Sequence, residues 1–197
     1  MSRTLPSDPF ILFQAWLKEA EEKELNDPNA MCLATASAAG QPAARMVLLK
    51  GLDDRGFHFY TNSESQKGGE LSENPLAALL FHWKSLRRQV RVEGKVEVLP
   101  DHFADDYFAS RPRGSRIGAW VSQQSRPLKD YQTLKDETQA REESFGAAEN
   151  IPRPDYWKGY CVVPDRIEFW IDGEFRLHER YIFTREGGGW TVRMVYP

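Results

Sequence analysis

The residues best equipped for chemistry in this chain are basic, and they fall into four groups. Arg45 and Lys50 bracket the apolar run Met46–Leu49, and Lys67 stands between Gln66 and Gly68. Arg111, Arg113 and Arg116 crowd around Ser110 and Ser115, and Arg176, His178 and Arg180 alternate. Lysine offers a point charge and arginine a two-pronged donor, while serine or tyrosine hydroxyls fill the remaining oxygens, so such groups suit phosphate. Separate cationic clusters imply two phosphates or one diphosphate. The alternating trio, read as part of a strand Arg176–Thr184, points to one face. Burying two arginines and a histidine there demands an anion; left in water, the same face is a solvated surface, and the pattern alone leaves both readings open. Phe169 and Trp170 nearby favour a planar, charged ligand, because arginine and aromatic faces together suit stacked rings and phosphate.

Other chemistry finds less support. His58 and His82 lie beside aromatics within strand-like runs and read as packing, and His102 reads as solvent-facing in the first turn of a helix. No Ser/His/Asp order or paired-carboxylate spacing compels a hydrolase. Cys32 and Cys161 read as two buried thiols in a reducing compartment, with no zinc-ligand spacing, so no metal is expected. Gly187-Gly188-Gly189 leads into Trp190-Thr191-Val192 rather than a helix, which makes it a hairpin turn and not a phosphate loop.

The elements that must position these residues are legible in outline. Asp8-Pro9 opens a helix, with a capping residue and then a proline in the first turn. Phe10, Phe13, Trp16, Leu17 and Ala20 give it one apolar face. Strand-like runs follow at Met31–Thr35, Met46–Leu49, Gly56–Tyr60, Leu76–Trp83 and Gln89–Leu99, separated by turn residues. In the last of these Val90, Val92, Gly94, Val96 and Val98 alternate with charged residues, as one buried face requires. Asp101–Ser110, Ser115–Val121 and Leu128–Phe145 read as helices. Strands return at Tyr160–Val163, Arg166–Ile171, Arg176–Thr184 and Trp190–Tyr196. Eight or nine strands with inserted helices predict a mainly β fold, a closed or nearly closed antiparallel barrel. The chain reads as one domain over residues 1–197, with a helical insert over about 101–145 and C-terminal strands over about 160–197.

Composition agrees with an ordinary globular protein: 41% hydrophobic, 28% charged, net charge −3. That acidic balance argues against a nucleic-acid partner. Met1 to Pro9 is polar, with no apolar signal core, and no run approaches a membrane span, so a cytosolic protein is expected.

At these motifs the sequence resembles the pyridoxine/pyridoxamine 5′-phosphate oxidase family, over about Pro6 to Pro197. The stretches that carry the likeness are Asp8-Pro9-Phe10 with Trp16, Arg45 to Lys50, Phe59-Tyr60-Thr61-Asn62, Arg88-Gln89-Val90-Arg91 and Tyr107 to Arg113. They continue with Gly118 to Ser122, Gln124-Ser125, and the most diagnostic pair, Glu168-Phe169-Trp170 and Arg176-Leu177-His178-Glu179-Arg180. The resemblance implies an FMN-binding split β-barrel that works as a homodimer, with FMN in the subunit interface. It further implies oxidation of pyridoxamine or pyridoxine 5′-phosphate to pyridoxal 5′-phosphate, with oxygen as acceptor and hydrogen peroxide released.

Carried over by residue, the implied FMN contacts are Arg45, Met46, Val47, Leu48, Leu49, Lys50, Tyr60, Thr61, Gln66, Lys67, Gln89, Gln124, Ser125, Trp170 and Arg180. The implied substrate contacts are Lys50, Tyr107, Arg111, Ser115, Arg176 and His178, of which Arg176 and His178 are the catalytic candidates. The chain departs from the family pattern at Gln66, where arginine is usual and whose absence implies a looser grip on the FMN phosphate. It departs also at Ile171 and Arg116, both usually glutamine, at Met194, and in having only Met1 to Leu5 ahead of the first helix region. Two alternatives stay open: a related split-barrel flavin or deazaflavin reductase with another substrate, and a non-enzymatic pyridoxal phosphate carrier.

Overall fold

A computed structural model describes residues 5–197. The four residues ahead of them, part of the short polar segment noted above, lie outside the described residues. Helix α1, Pro9–Lys23, begins as the sequence predicts: Asp8 accepts a hydrogen bond from the Phe10 N–H, and Pro9 occupies the first turn. Its apolar stripe, Phe10, Phe13, Trp16 and Ala20, is buried. Phe13 meets Phe57 and Phe81 edge-on, each at 4.9 Å, and Trp16 meets Phe169 at 5.1 Å. The helix therefore closes over the interior of the sheet.

Nine strands form one antiparallel sheet: β1 (Ala30–Ala36), β2 (Pro42–Leu48), β3 (Gly51–Leu52), β4 (Phe57–Asn62), β5 (Leu76–Trp83), β6 (Arg88–Val98), β7 (Trp157–Ile171), β8 (Glu179–Glu186) and β9 (Gly189–Met194). The order is β2-β1-β5-β6-β7-β4-β3, with β8 added to β7 and β9 to β8. This is the split barrel expected from the sequence. Helices α2 (Gln66–Glu73), α3 (Asp101–Ser110), α4 (Arg113–Val121) and α5 (Tyr131–Phe145) fill the connections.

Several boundaries differ from the sequence reading. Tyr160–Val163 and Arg166–Ile171 are one 15-residue strand, β7. Pro164 is tolerated inside it because it lies opposite Gly94, where the register with β6 shifts. β7 changes partner along its length, pairing with β4 over 157–162 and with β8 over 166–171. α5 starts at Tyr131, where Asp130 caps it, three residues beyond the expected Leu128. Val98, expected inside with the other valines of β6, is exposed at the strand's end, and Cys32 is only half-buried, while Cys161 is buried. The glycine turn joins β8 to β9 as expected, with Gly187 and Gly188 both at positive φ. That is the backbone of a two-residue hairpin whose twist suits its strands.

The largest correction concerns the C-terminal basic trio. Strand β8 begins only at Glu179, so Arg180 alone of the three lies in it. Arg176 ends a short 3₁₀ turn, Glu174–Arg176, in which Phe175 and Arg176 take left-handed backbone angles. Gly173 makes this turn possible, since a Cβ there would sit 2.1 Å from the Leu177 carbonyl oxygen. Arg176 and His178 therefore project from a loop and not from one strand face.

Among the described residues, no helix is long and apolar enough to cross a membrane.

Candidate active site

A cavity of about 810 Å³ opens between β2, β4, α2 and the α3–α4 region. β2 contributes Arg45, Met46, Val47 and Leu48, and Lys50 follows just beyond it. Leu49, expected here, points into the hydrophobic core. β4 supplies Tyr60 and Thr61, α2 supplies Gln66 and Lys67, and Gln124 and Ser125 follow α4. Tyr107, Arg111 and Ser115 close the far side. The 14 expected residues thus brought together come from six separate stretches of chain.

One end of the cavity is built around Lys67, which is only 8% exposed. Its ammonium donates to Gln124 Oε1 at 2.7 Å, Thr61 Oγ1 at 3.2 Å and Ser65 Oγ at 3.3 Å. Burial, with Arg45 nearby, holds its pKa below that of an ordinary lysine. Arg45 donates to Glu70 Oε2 at 3.1 Å and to the Thr35 hydroxyl. Gln66 Nε2 reaches the other oxygen of Glu70 at 2.8 Å. The Thr35 hydroxyl bond, followed by those from Gln66 and Arg45, keeps the Glu70 carboxyl below its usual range. Two cations against one carboxylate leave this end with one unneutralised positive charge, beside the N-terminus of α2. A phosphate fits that arrangement.

The other end is aromatic and cationic. Tyr60, Tyr107 and Trp157 form one aromatic cluster, with centroids 4.5 Å apart for Tyr60 and Tyr107, 5.3 Å for Tyr60 and Trp157, which are nearly parallel, and 5.9 Å for Tyr107 and Trp157. Arg111 lies over Trp157 and Phe108, and Lys50 over Tyr107. Arg111 Nη1 is buried with no hydrogen-bond partner, and desolvation lowers the pKa of its guanidinium. A buried guanidinium nitrogen without an acceptor is costly, and an anion would relieve it.

The remaining expected residues form a second group that does not line this cavity. Gln89, Trp170 and Arg180 sit directly opposite one another across β6, β7 and β8. The His178 ring packs on Trp170 with centroids 4.6 Å apart, and its Nδ1 accepts the Gly173 N–H at 3.1 Å. From β2 to β8 there are five strand spacings, roughly 24 Å along the sheet.

A third cluster, Asp53, His58 and Cys161, brings an oxygen, a nitrogen and a sulfur within 4.8 Å of one another. Both Asp53 oxygens accept from Arg55, and Oδ1 also caps the Gly56 N–H, so this carboxylate fastens the β3–β4 turn. His58 is the buried packing histidine expected from the sequence.

A family model described as pyridoxamine 5′-phosphate oxidase matches residues 17–144. The chain belongs to the pyridoxamine 5′-phosphate oxidase family. A second family model, described as the pyridoxine 5′-phosphate oxidase C-terminal dimerisation region, matches residues 157–197, which include Trp170, Arg176, His178 and Arg180. The chain is 56% identical to the pyridoxine/pyridoxamine 5′-phosphate oxidase of Gluconobacter oxydans (strain 621H), over 98% of this chain and 96% of that one. It is 58% identical to the same-named protein of Rhizobium meliloti (strain 1021), over 97% and 93%. Among solved structures, PhzG from Burkholderia lata 383, in complex with tetrahydrophenazine-1-carboxylic acid, superposes with a TM-score of 0.91 at 31% identity, over 98% of this chain and 94% of that one. An FMN-binding, pyridoxamine 5′-phosphate oxidase-related protein from Nostoc punctiforme PCC 73102 shares the fold, with a TM-score of 0.76 at 17% identity and full coverage of both chains.

Two residues of this cavity went unread in the sequence. Glu70 joins Arg45 to Gln66, and its signal was the four-residue spacing from Gln66 on one helix face. Trp157 forms the cavity's aromatic wall, but it lies at the end of a loop where no periodicity marks it.

Proposed function

We propose that this chain is an FMN-dependent oxidase that converts pyridoxamine or pyridoxine 5′-phosphate to pyridoxal 5′-phosphate, with oxygen as acceptor and hydrogen peroxide as by-product. The observation that carries the reading is a single cavity with cations at two ends, Arg45 with Lys67 and Lys50 with Arg111, separated by an aromatic wall. Two phosphorylated, ring-bearing molecules suit it.

In this reading Arg45, Lys67, Gln124 and Ser125 hold the FMN phosphate, and Lys50, Tyr107, Arg111 and Ser115 hold the substrate phosphate. FMN, when bound there, would supply a two-electron acceptor for the hydride leaving the substrate's 4′ carbon, with oxygen as the final acceptor. Arg176 and His178 orient the substrate ring and balance charge at the amine or alcohol being oxidised. Arg180 meets the flavin. Since Gln89, Trp170, Arg176, His178 and Arg180 lie away from the cavity of their own chain, the working unit is a homodimer. Each chain's C-terminal region completes the cavity of its partner, and the matched dimerisation region supports this.

The likeness to PhzG supports a second reading, oxidation of a polycyclic carboxylic acid in the same cavity. The experiment that separates them is oxygen consumption by the FMN-loaded protein with pyridoxamine phosphate, pyridoxine phosphate and a reduced phenazine carboxylic acid. Peroxide formation with a phosphorylated vitamer upholds the first reading. Turnover of the phenazine acid alone upholds the second, and no turnover of any leaves a carrier.

A further inference from the structure

We propose that Glu168 is a positioning residue that fixes the Arg180 guanidinium for the flavin. The proposal rests on the reading above that Arg180 meets FMN. Glu168 lies in the C-terminal half of β7, opposite β8, and is 3% exposed. A carboxylate buried this deeply must be paired. Three arginines surround it: Arg180 Nε at 2.7 Å, Arg166 Nη2 at 3.4 Å and Arg91 Nη1 at 3.6 Å. Arg91 and Arg166 also share a second carboxylate, Glu93, at 2.6 and 3.1 Å. Arg180 has no other carboxylate within ion-pairing distance among the described residues. Its one further anchor is the Tyr196 carbonyl, bonded to Nη1 at 3.1 Å.

The guanidinium is thus tied at Nε and Nη1, and Nη2 is left to present to a ligand. This is a planar fork held in one orientation, which a lysine could not reproduce. The hydrogen bond to Glu168 also raises the Arg180 pKa, so the fork stays charged. The placement is specific. Arg180 stands opposite Trp170, which stands opposite Gln89, so the residue that orients Arg180 also orders the end of a row assigned to the flavin. Three guanidiniums against two carboxylates leave the cluster one net positive charge.

Orientation and simple charge make opposite predictions, which gives the test. Glu168→Gln removes a negative charge, and by electrostatics alone it would raise the flavin midpoint potential and tighten FMN. If Glu168 acts by holding Arg180, the same change lets the fork swing away: FMN binds about tenfold more weakly, the loss of one hydrogen bond to a charged group, and the midpoint potential falls. FMN titration into apoprotein and a spectroelectrochemical potential of the holoprotein read both. Glu168→Asp keeps the charge but shortens the reach, so it should shift both readings in the same direction and serves if the glutamine variant does not fold. Arg166→Gln removes a neighbour of the same carboxylate and should leave both readings at wild type. A raised or unchanged potential with undiminished FMN affinity in both Glu168 variants overturns the proposal. Arg180→Ala separates the two levels. If it changes neither reading, the assignment of Arg180 to the flavin has failed. If it lowers both while Glu168→Gln and Glu168→Asp lower neither, only the positioning role has failed.

Discussion

Lys67 donates to Gln124 Oε1 at 2.7 Å, and its other two acceptors, the Thr61 and Ser65 hydroxyls, are equally neutral. A buried ammonium ringed by dipoles and facing a cavity is a charge held ready for an anion.

The first prediction follows from that amine's lowered pKa. In the window between the lowered value and the 10.5 of a free lysine, the unfolded chain binds more protons than the folded apoprotein. Apoprotein stability therefore rises with pH through that window and is lost as pH falls back through the folded pKa. FMN affinity moves the other way, because the phosphate needs the cation. Thermal unfolding and FMN titration across neutral to alkaline pH measure both. Lys67→Met should flatten both dependences, and parallel slopes in the wild type would contradict the assignment.

Arg45→Ala should weaken FMN binding by about 1.5–3 kcal/mol, the scale of a hydrogen bond to a charged group. It should also lower the melting temperature, because Glu70 is left buried without its cation. Gln66→Arg should tighten FMN, since an arginine there can satisfy Glu70 and still add a positive charge. Fluorescence titration of the apoproteins decides, and unchanged affinity in both variants would place the cofactor phosphate elsewhere.

Substrate grip and chemistry should separate kinetically. In the proposed site Arg111→Ala would remove a phosphate contact made alike in ground and transition states, so KM should rise while kcat is largely kept. His178→Ala should retain its FMN and lose turnover. Arg176→Lys should not restore function, since a point charge does not replace a planar guanidinium against a ring. Steady-state kinetics on flavin-saturated variants make the comparison, and wild-type constants for both His178→Ala and Arg176→Lys would move the catalytic site away from this loop.

The dimer assignment predicts that dilution to monomer releases FMN. Light scattering with parallel flavin fluorescence tests it; a monomer with full flavin content and activity would refute the composite site.

How much the sequence disclosed depended on whether local rules decided the structure. Asp8-Pro9 and the apolar stripe from Phe10 to Ala20 set α1 by capping and period, both local. The valine alternation in β6 and the paired glycines 187 and 188 were legible for the same reason. Arg176-Leu177-His178-Glu179-Arg180 misled because alternation looks the same in a strand and in a loop. Only the left-handed Phe175 and Arg176, permitted by Gly173, tell them apart, and that is a property of the turn as a whole. The two runs Tyr160–Val163 and Arg166–Ile171 likewise read as separate strands because Gly94, which lets β7 continue through Pro164, lies far away in the chain. In the cavity the cations announced themselves, whereas Glu70, whose partners Arg45 and Thr35 lie on other elements, carried no local mark beyond its spacing from Gln66.

The change of partner along β7 has a consequence for mixtures of chains. Its first half walls the cavity with Trp157, and its second half carries Trp170 toward the C-terminal hairpin; along its contour the 15-residue strand spans roughly 45 Å. In the proposed dimer, damage at Lys67 and damage at His178 in one chain fall on two different sites. Co-expressing a Lys67 variant with a His178 variant then forms hybrid molecules in which one site collects both lesions and the other collects none. Two inactive alleles would complement each other, whereas two lesions within the same half of β7's reach would not.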